Sequence, residues 1–308
     1  MANKKNWKDH FLSSGVPLEY SILGILKKLG FSAPREYRYE RISESGLLTE
    51  FSIDVHSSFI LTQPNLWLEV FIECKYRHDG TRWVFTPAEH DIWAPRYEDM
   101  FVLLDQYDAS RRVARGKVQL YANNFSLCAK GIELLPEDKN PKTIEQAVQQ
   151  LRYSIANKAV DSIVHQVDEM LGSPTPIFIL IPIIITTAEL WRMKPSMSVE
   201  EIRKAEDLKE VAEMKNAIIM HNDPDNMLIS HTRNYFKNHL SHKQKKKLEA
   251  VFMRNTKNSY DYFVDMFASR YPSLFVVSTY SYFETFSEGL VQFVNDNALI
   301  ESREHTDA

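Results

Sequence analysis

Residues 47–56 read LLTEFSIDVH and residues 66–76 read LWLEVFIECKY. Apolar residues take nearly every second position in both segments, which is the period of a β-strand that buries one face. The faces assigned to the core hold Leu47, Thr49, Phe51, Ile53 and Val55 in the first strand and Leu66, Leu68, Val70, Ile72 and Cys74 in the second. The two segments therefore predict strands with one apolar face and a second face that carries acids.

The segments around these two strands predict a mixed fold. Helices are predicted over 17–29, 143–171, 199–219, 232–254, 258–269 and 283–295, and further strands over 36–42, 82–85, 177–187 and 274–279. The run over 177–187 is almost continuously apolar, as in a central strand that is covered on both faces. This order indicates an α/β or α+β fold in which helices flank a mixed central sheet.

The same pattern predicts how the chain is organised. Residues 1–195 are expected to form the core, interrupted by an insertion over 77–140 whose short elements follow no clear period. Residues 196–308 are expected to form a mainly helical C-terminal extension that packs on this core.

The composition excludes several classes of protein. The chain has 308 residues, a net charge of −4, nine glycines and no Gly-rich phosphate-binding motif. Two cysteines are too few for a disulfide scaffold or a cysteine-rich zinc site, and they favour a reducing compartment. The N-terminus has no apolar signal segment, and the longest apolar run is too short for a bilayer. We therefore expect a cytoplasmic protein without a membrane partner.

Asp54, Glu73 and Lys75 form the pattern that points to chemistry. Residues two apart on a strand share a face, so Glu73 and Lys75 are predicted to project together while Cys74 enters the core. If the two strands pair as a hairpin, Asp54 comes to lie beside Glu73. Carboxylate oxygens suit Mg²⁺, which would polarise a phosphoryl oxygen and generate hydroxide from water. Lys75 is expected to orient or activate that water and to offset charge in the transition state.

At these residues the chain resembles the restriction-endonuclease-like phosphodiesterase superfamily, whose motif is PD-(D/E)-x-K. The motif stands here as Ile53-Asp54 followed by Glu73-Cys74-Lys75, with isoleucine in place of the proline. Within the superfamily the chain is most similar to Mrr-like and RecB-like nucleases. Glu19 matches the acid that many members place on the first helix as a further metal ligand. Gln149 and Tyr153 match the Q-x-x-x-Y element of RecB-like members.

The resemblance implies an enzyme with a restriction-endonuclease-like core that hydrolyses nucleic-acid phosphodiesters, most often in DNA. Its implied catalytic residues are Asp54, Glu73 and Lys75, and its implied metal ligands are Asp54, Glu73 and Glu19. The implied cofactor is Mg²⁺, with Mn²⁺ as a substitute. Defence or DNA processing is the implied setting, and many relatives act as homodimers.

Other interpretations of the same residues stay open at this stage. Glu19 also favours the dipole of its helix as an acid in the first turn. Gln149 and Tyr153 lie opposite the apolar stripe of their helix, where solvent-facing residues also belong. The basic run over 243–247 is typical of a solvated face, or of a contact with phosphates. The alternative function is a catalytically inactive protein of the same fold that binds nucleic acid or a partner.

Overall fold

Two buried apolar strands, Leu66–Lys75 and Ile177–Thr186, lie side by side in parallel at the centre of the sheet in the computed structural model of this chain. They are in register over their whole length, from the pair Leu66 and Ile177 to the pair Lys75 and Thr186. The structure describes residues 7–42, 46–88, 97–105, 107–108, 110–134, 142–168, 175–256, 259–296 and 299–302.

The strands are numbered in chain order. They are β1 (Ser32–Ile42), β2 (Leu48–Leu61), β3 (Leu66–Lys75), β4 (Arg82–Pro87), β5 (Val102–Leu104), β6 (Arg111–Val113), β7 (Ser126–Leu134), β8 (Ile177–Thr186), β9 (Glu189–Met193), β10 (Ala212–Lys215), β11 (Ala217–His221), β12 (Leu274–Thr279) and β13 (Ile300–Ser302).

The helices are numbered in the same way. They are α1 (Trp7–Ser13), α2 (Val16–Lys28), α3 (Arg115–Ala122), α4 (Thr143–Asp168), α5 (Val199–Lys204), α6 (Leu208–Val211), α7 (Asn226–His239), α8 (His242–Thr256), α9 (Tyr260–Arg270) and α10 (Tyr280–Asp296). A short 3-10 helix covers Tyr97–Met100. Among the described helices, none is long and apolar enough to cross a bilayer.

One mixed sheet holds most of the strands. Its order is β1-β2-β3-β8-β12-β11-β7-β4-β9-β10, and β5 pairs with β8 next to β12. β1, β2 and β3 form an antiparallel meander, whereas β3, β8 and β12 are mutually parallel. β6 and β13 form a separate two-stranded sheet.

Helices cover both faces of this sheet. α2, α3 and α10 contribute their buried residues to one apolar cluster, and α4, α7, α8 and α9 contribute to the other. The predicted mixed central sheet flanked by helices is thus confirmed. β8 is buried along its whole length, as its continuous apolar sequence predicts.

The predicted helix over 199–219 is wrong. That stretch forms the short helices α5 and α6, followed by the strands β10 and β11. β11 lies between β12 and β7, and its Ile218, Ile219 and Met220 are buried there. Burial on both faces therefore outweighs the local helical pattern in this segment.

The single helix predicted over 232–254 is two helices, α7 and α8. The helix is interrupted at Ser241. Its hydroxyl accepts a hydrogen bond from the backbone N–H of Gln244 at 3.3 Å. In return, the Gln244 side chain accepts one from the N–H of Ser241 at 2.9 Å. This reciprocal pair is a capping box, and it starts a new helix. The end of the helix predicted over 143–171 lies outside the described residues.

The region predicted as an insertion over 77–140 is part of the main sheet. Its strands β4 and β7 pair with each other, and β7 joins β11 while β4 joins β9. Gly131 of β7 lies against Phe85 of β4 and Ile144 of α4, so the packing leaves no room for a larger residue.

A Gly131→Ala substitution should therefore destabilise the whole protein by about 1–3 kcal/mol through overpacking. An added Cβ would meet the Phe85 ring at 2.5 Å. Gly24→Ala is the matched control, because a Cβ at Gly24 in α2 meets nothing within 4 Å. That change should stabilise the protein by about 0.5–1 kcal/mol. Urea unfolding would measure both, and equal effects of the two changes would contradict this account.

Candidate active site

Asp54 lies in a β-bulge of β2. Tyr37 of β1 pairs with Ile53 of β2, and Arg35 pairs with His56. Between these two pairs β2 therefore has one residue more than β1. An extra residue of this kind bends the strand and redirects its side chains. The Oδ2 atom of Asp54 accepts a hydrogen bond from the backbone N–H of Cys74 at 2.7 Å. The bulge thereby holds Asp54 against the end of β3.

The bulge also reverses the alternation that the sequence predicts for β2. Ile53 packs in the apolar cluster beneath α4, whereas Val55 packs in the cluster beneath α2. The expectation that these residues share a face is wrong, because the extra residue moves the following side chains to the opposite face. Leu47, assigned to the same face, is exposed.

Glu73 and Lys75 lie on one face of β3, as the strand period predicts. Cys74 points the other way and is buried in the cluster beneath α2. The Lys75 ammonium donates to Glu73 Oε2 at 2.7 Å and to Oε1 of Gln150 on α4 at 3.4 Å. Glu73 is fully buried. The acids on this strand therefore do not belong to a solvated surface.

Burial and neighbouring charges raise the pKa of each carboxylate in this group. Burial and the charge of Asp54 raise the pKa of Glu73 to about 8, although the charge of Lys75 lowers it. Burial raises the pKa of Asp54 as well, although the N–H of Cys74 and the charge of Lys75 lower it. Burial and the charge of Asp54 raise the pKa of Glu19 on α2. Acids from α2, β2 and β3 thus share one electrostatic environment, which we call the acid–lysine site.

A fourth acid, Glu36 of β1, acts on the same site. Its charge raises the pKa of both Glu19 and Asp54. Hydrogen bonds with Ser52 and Arg38 lower the pKa of Glu36 itself. Glu36 is not predicted from the sequence, because it lies opposite the bulge in β2 and no sequence signal marks that bulge.

Glu69 shows that burial on β3 does not by itself produce a raised pKa. It is on the same face as Glu73 and is also fully buried. Burial raises its pKa, but the His56 ring nitrogen at 2.8 Å and the Lys158 ammonium at 3.1 Å outweigh burial and leave the pKa lowered. A buried acid with a raised pKa is the more typical functional group. This contrast favours Glu73 as part of a site and Glu69 as part of the framework.

Contacts with β8 and with β7 hold the end of β3 in place. The Thr186 hydroxyl donates to the backbone carbonyl of Lys75 at 3.0 Å. The N–H of Arg77 donates to the Thr187 hydroxyl at 2.6 Å, and the Arg77 guanidinium pairs with the buried carboxylate of Glu133 at 2.9 Å. The region over 77–140 therefore supports the acid–lysine site directly.

The two predicted auxiliary residues of α4, Gln149 and Tyr153, have other partners than Lys75. Gln149 donates to Asp225 Oδ2 at 3.4 Å. Tyr153 is buried, and its ring centroid lies 4.2 Å from the guanidinium carbon of Arg41. The glutamine that contacts Lys75 is Gln150, which the sequence analysis missed because only the neighbouring position fits the family element.

The basic run over 243–247 lies far from this site. Gln244 of α8 donates to Asp168 at the C-terminal end of α4 at 3.2 Å. Asp168 follows Gln150 by 18 residues, which is about 27 Å along a helix. Of the lysines in the run, Lys243 and Lys246 are exposed.

The acids fit a divalent cation by their chemistry. Within the described part of the chain, no group of three or more His, Cys, Asp or Glu side chains is arranged so that it could hold a metal ion as it stands. However, Glu73 Oε1 is buried, and no described residue donates to it in hydrogen-bonding geometry. Buried carboxylates of raised pKa also favour a bound cation, because positive charge would stabilise their ionised forms.

The comparisons with known proteins place the chain in no family. No protein-family model, curated protein or solved structure matches it.

The raised pKa of Glu73 has a consequence for stability in the absence of divalent cations. Between about pH 4.5 and pH 8 the folded protein holds a proton on Glu73 that the unfolded chain releases. Stability should therefore fall as the pH rises through this window. Glu73→Gln removes this dependence, so it should gain about 1–3 kcal/mol relative to the wild type between pH 5 and pH 8.5. Urea unfolding in EDTA at a series of pH values measures the change.

Glu69→Gln is the matched control on the same face of β3. The lowered pKa of Glu69 contributes stability that is present above about pH 4.5 and is lost as the pH falls further. This variant should therefore be less stable than the wild type at neutral pH and should approach it only in acid. If both variants shift stability in the same direction at pH 8, the assignment of the two acids is wrong.

Proposed function

We propose that this chain is a metal-dependent nuclease with a restriction-endonuclease-like core. The proposal is supported by the order β1-β2-β3-β8 in the sheet, with α2 packed on one face and α4 on the other. A helix, a three-stranded meander, a second helix and a further strand are what the resemblance implies for such a core. The substrate class is nucleic acid, with DNA as the first candidate.

The observation that carries the proposal is the convergence of Asp54, Glu73 and Lys75 where the bulge of β2 meets the end of β3. Asp54 reaches the backbone of Cys74, and Lys75 reaches Glu73, over 2.7 Å in each case. Glu19 is coupled electrostatically to Asp54 and Lys75. Buried acids of raised pKa beside a lysine are a combination that favours catalysis over simple structural pairing.

Each residue has a role in hydrolysis of a phosphodiester. Asp54 and Glu73, with Glu19, would hold Mg²⁺, or Mn²⁺ in its place, which supplies polarisation of a phosphoryl oxygen and a lowered pKa of water. Lys75 holds its ammonium beside Glu73, from which it would orient the attacking water and offset charge on the phosphoryl group. Water adds its oxygen to phosphorus and gives up a proton, the bond to the leaving oxygen breaks, and the leaving oxygen gains a proton.

A second candidate function is a catalytically inactive protein of the same fold that binds nucleic acid. One observation favours it, because Asp54 and Glu73 each already use a carboxylate oxygen within the chain. In that case the carboxylate–lysine contacts serve only to join β2, β3 and α4.

Removing the ammonium of Lys75 should abolish cleavage. Lys75→Ala and Lys75→Met, which keeps most of the side-chain length, should both lower the cleavage rate about 100-fold or more. The assay incubates supercoiled DNA, linear duplex DNA, single-stranded DNA and single-stranded RNA with Mg²⁺, Mn²⁺ or EDTA. Lys28→Ala is the control, since Lys28 is an exposed lysine paired with Glu284. Wild-type rates in the Lys75 variants would rule out the proposed role of this residue.

Divalent-cation binding separates a nuclease from an inactive scaffold. Titration calorimetry with Mn²⁺ should show binding to the wild type, and Asp54→Ala should weaken it about tenfold or more through loss of a carboxylate ligand. Asp168→Ala is the matched control, because this exposed acid lies at the far end of α4. Binding that is unchanged in the Asp54 variant would place the cation elsewhere, and no binding at all would favour the scaffold.

A further inference from the structure

An exposed aromatic surface lies at the N-terminal end of the described chain. None of the residues of α1 is buried, and the exposed apolar side chains continue onto the first turns of α2. We call this surface the aromatic rim; it consists of Trp7, Phe11, Leu12, Val16 and Tyr20, which are 71%, 54%, 39%, 52% and 77% exposed. Clustered exposed apolar residues of this size mark an interaction site more often than single ones do.

Two observations place the aromatic rim beside the acid–lysine site. Gly15 joins α1 to α2, and a Cβ at this position would lie 3.3 Å from Oε1 of Glu19. The charge of Asp9 on α1 acts on Tyr76, which directly follows Lys75. The junction of α1 and α2 therefore lies beside Glu19, and α1 lies near the residue that follows Lys75.

The helical period of α2 brings the rim next to Glu19. Leu18 and Ile22 form the buried face of the helix. Glu19 follows Leu18 by about 100° around the axis, and Tyr20 follows by about another 100°. Glu19 thus separates the buried face from the exposed face that carries Tyr20. Tyr20 therefore lies on the exposed face of α2 next to Glu19.

We propose that the aromatic rim stacks unpaired bases, so that the substrate of the acid–lysine site is single-stranded nucleic acid or a single-stranded segment. This inference rests on the proposed nuclease function. Exposed aromatic rings bind successive unpaired bases by stacking, whereas bases within a duplex are already stacked on each other. The ammonium of Lys8 lies 5.8 Å from the centroid of the Trp7 ring, where it adds positive charge beside the stacking surface.

The test measures binding in EDTA, where no cleavage is expected. Fluorescence anisotropy compares a labelled 20-nucleotide single strand with a hairpin duplex of the same sequence, each as DNA and as RNA. The double variant Trp7→Ala, Phe11→Ala and the single variant Tyr20→Ala should each weaken single-strand binding about fivefold or more. Duplex binding should not change. Tyr20→Phe keeps the ring and should restore the affinity.

Val199→Ala is the matched control, because Val199 on α5 is 69% exposed and lies outside the rim. Thermal unfolding by circular dichroism should be unchanged in every variant, since the substituted side chains are exposed. Unchanged single-strand affinity in the rim variants, equal losses for single strand and duplex, or no binding of either would each overturn the inference. A change in sedimentation without a change in single-strand binding would also overturn it, and would make the rim an interface between copies of the chain.

The rim and the nuclease proposal can fail separately. If the rim variants lose single-strand binding while Lys75→Ala cleaves at the wild-type rate, the proposed mechanism is wrong and the rim stands. If Lys75→Ala is inactive while the rim variants bind single strands normally, the nuclease proposal stands and the rim does not stack bases.

Discussion

The parallel pairing of β3 with β8 is the constraint on which the rest of the structure depends. The two strands stay in register over ten residue pairs, from Leu66 with Ile177 to Lys75 with Thr186. Their apolar side chains lie in both clusters, so helices must pack on either face of the sheet. The same register places Lys75 at the end of the sheet, where the Thr186 hydroxyl binds its carbonyl.

The position of the charges follows from this arrangement. Glu69 and Glu73 are on one face of β3, and the pairing with β8 carries both beneath α4. Burial of a carboxylate is unfavourable unless a partner or a proton neutralises it. Glu69 is neutralised by two basic partners, whereas Glu73 faces Asp54 as well as Lys75 and has its pKa raised to about 8. β3 thus carries a stabilising ion pair at Glu69 and, four residues further on, an acid of raised pKa at Glu73.

The regions predicted as additions to the core contribute to it. β4 and β7, from residues 77–140, extend the sheet and supply Glu133 to hold Arg77 beyond the end of β3. β11 and β12, from the C-terminal third, lie in the middle of the same sheet. The chain therefore has a larger sheet than the resemblance implies. The acid–lysine site lies where β2 and β3 meet within the first four strands of that sheet.

Local sequence pattern alone determined the strands β2, β3 and β8 and the helices α2, α4 and α10. It also determined the shared face of Glu73 and Lys75. Strand alternation and helical periods depend only on neighbouring residues, so they can be seen in the sequence. Tertiary structure decided the bulge at Asp54, the strand state of Ala217–His221 and the contact of Lys75 with Gln150 in place of Gln149. Each of these depends on pairing or packing between segments far apart in the chain. Likewise, the difference in pKa between Glu69 and Glu73 arises from which groups the fold brings to each acid, and no sequence period encodes that.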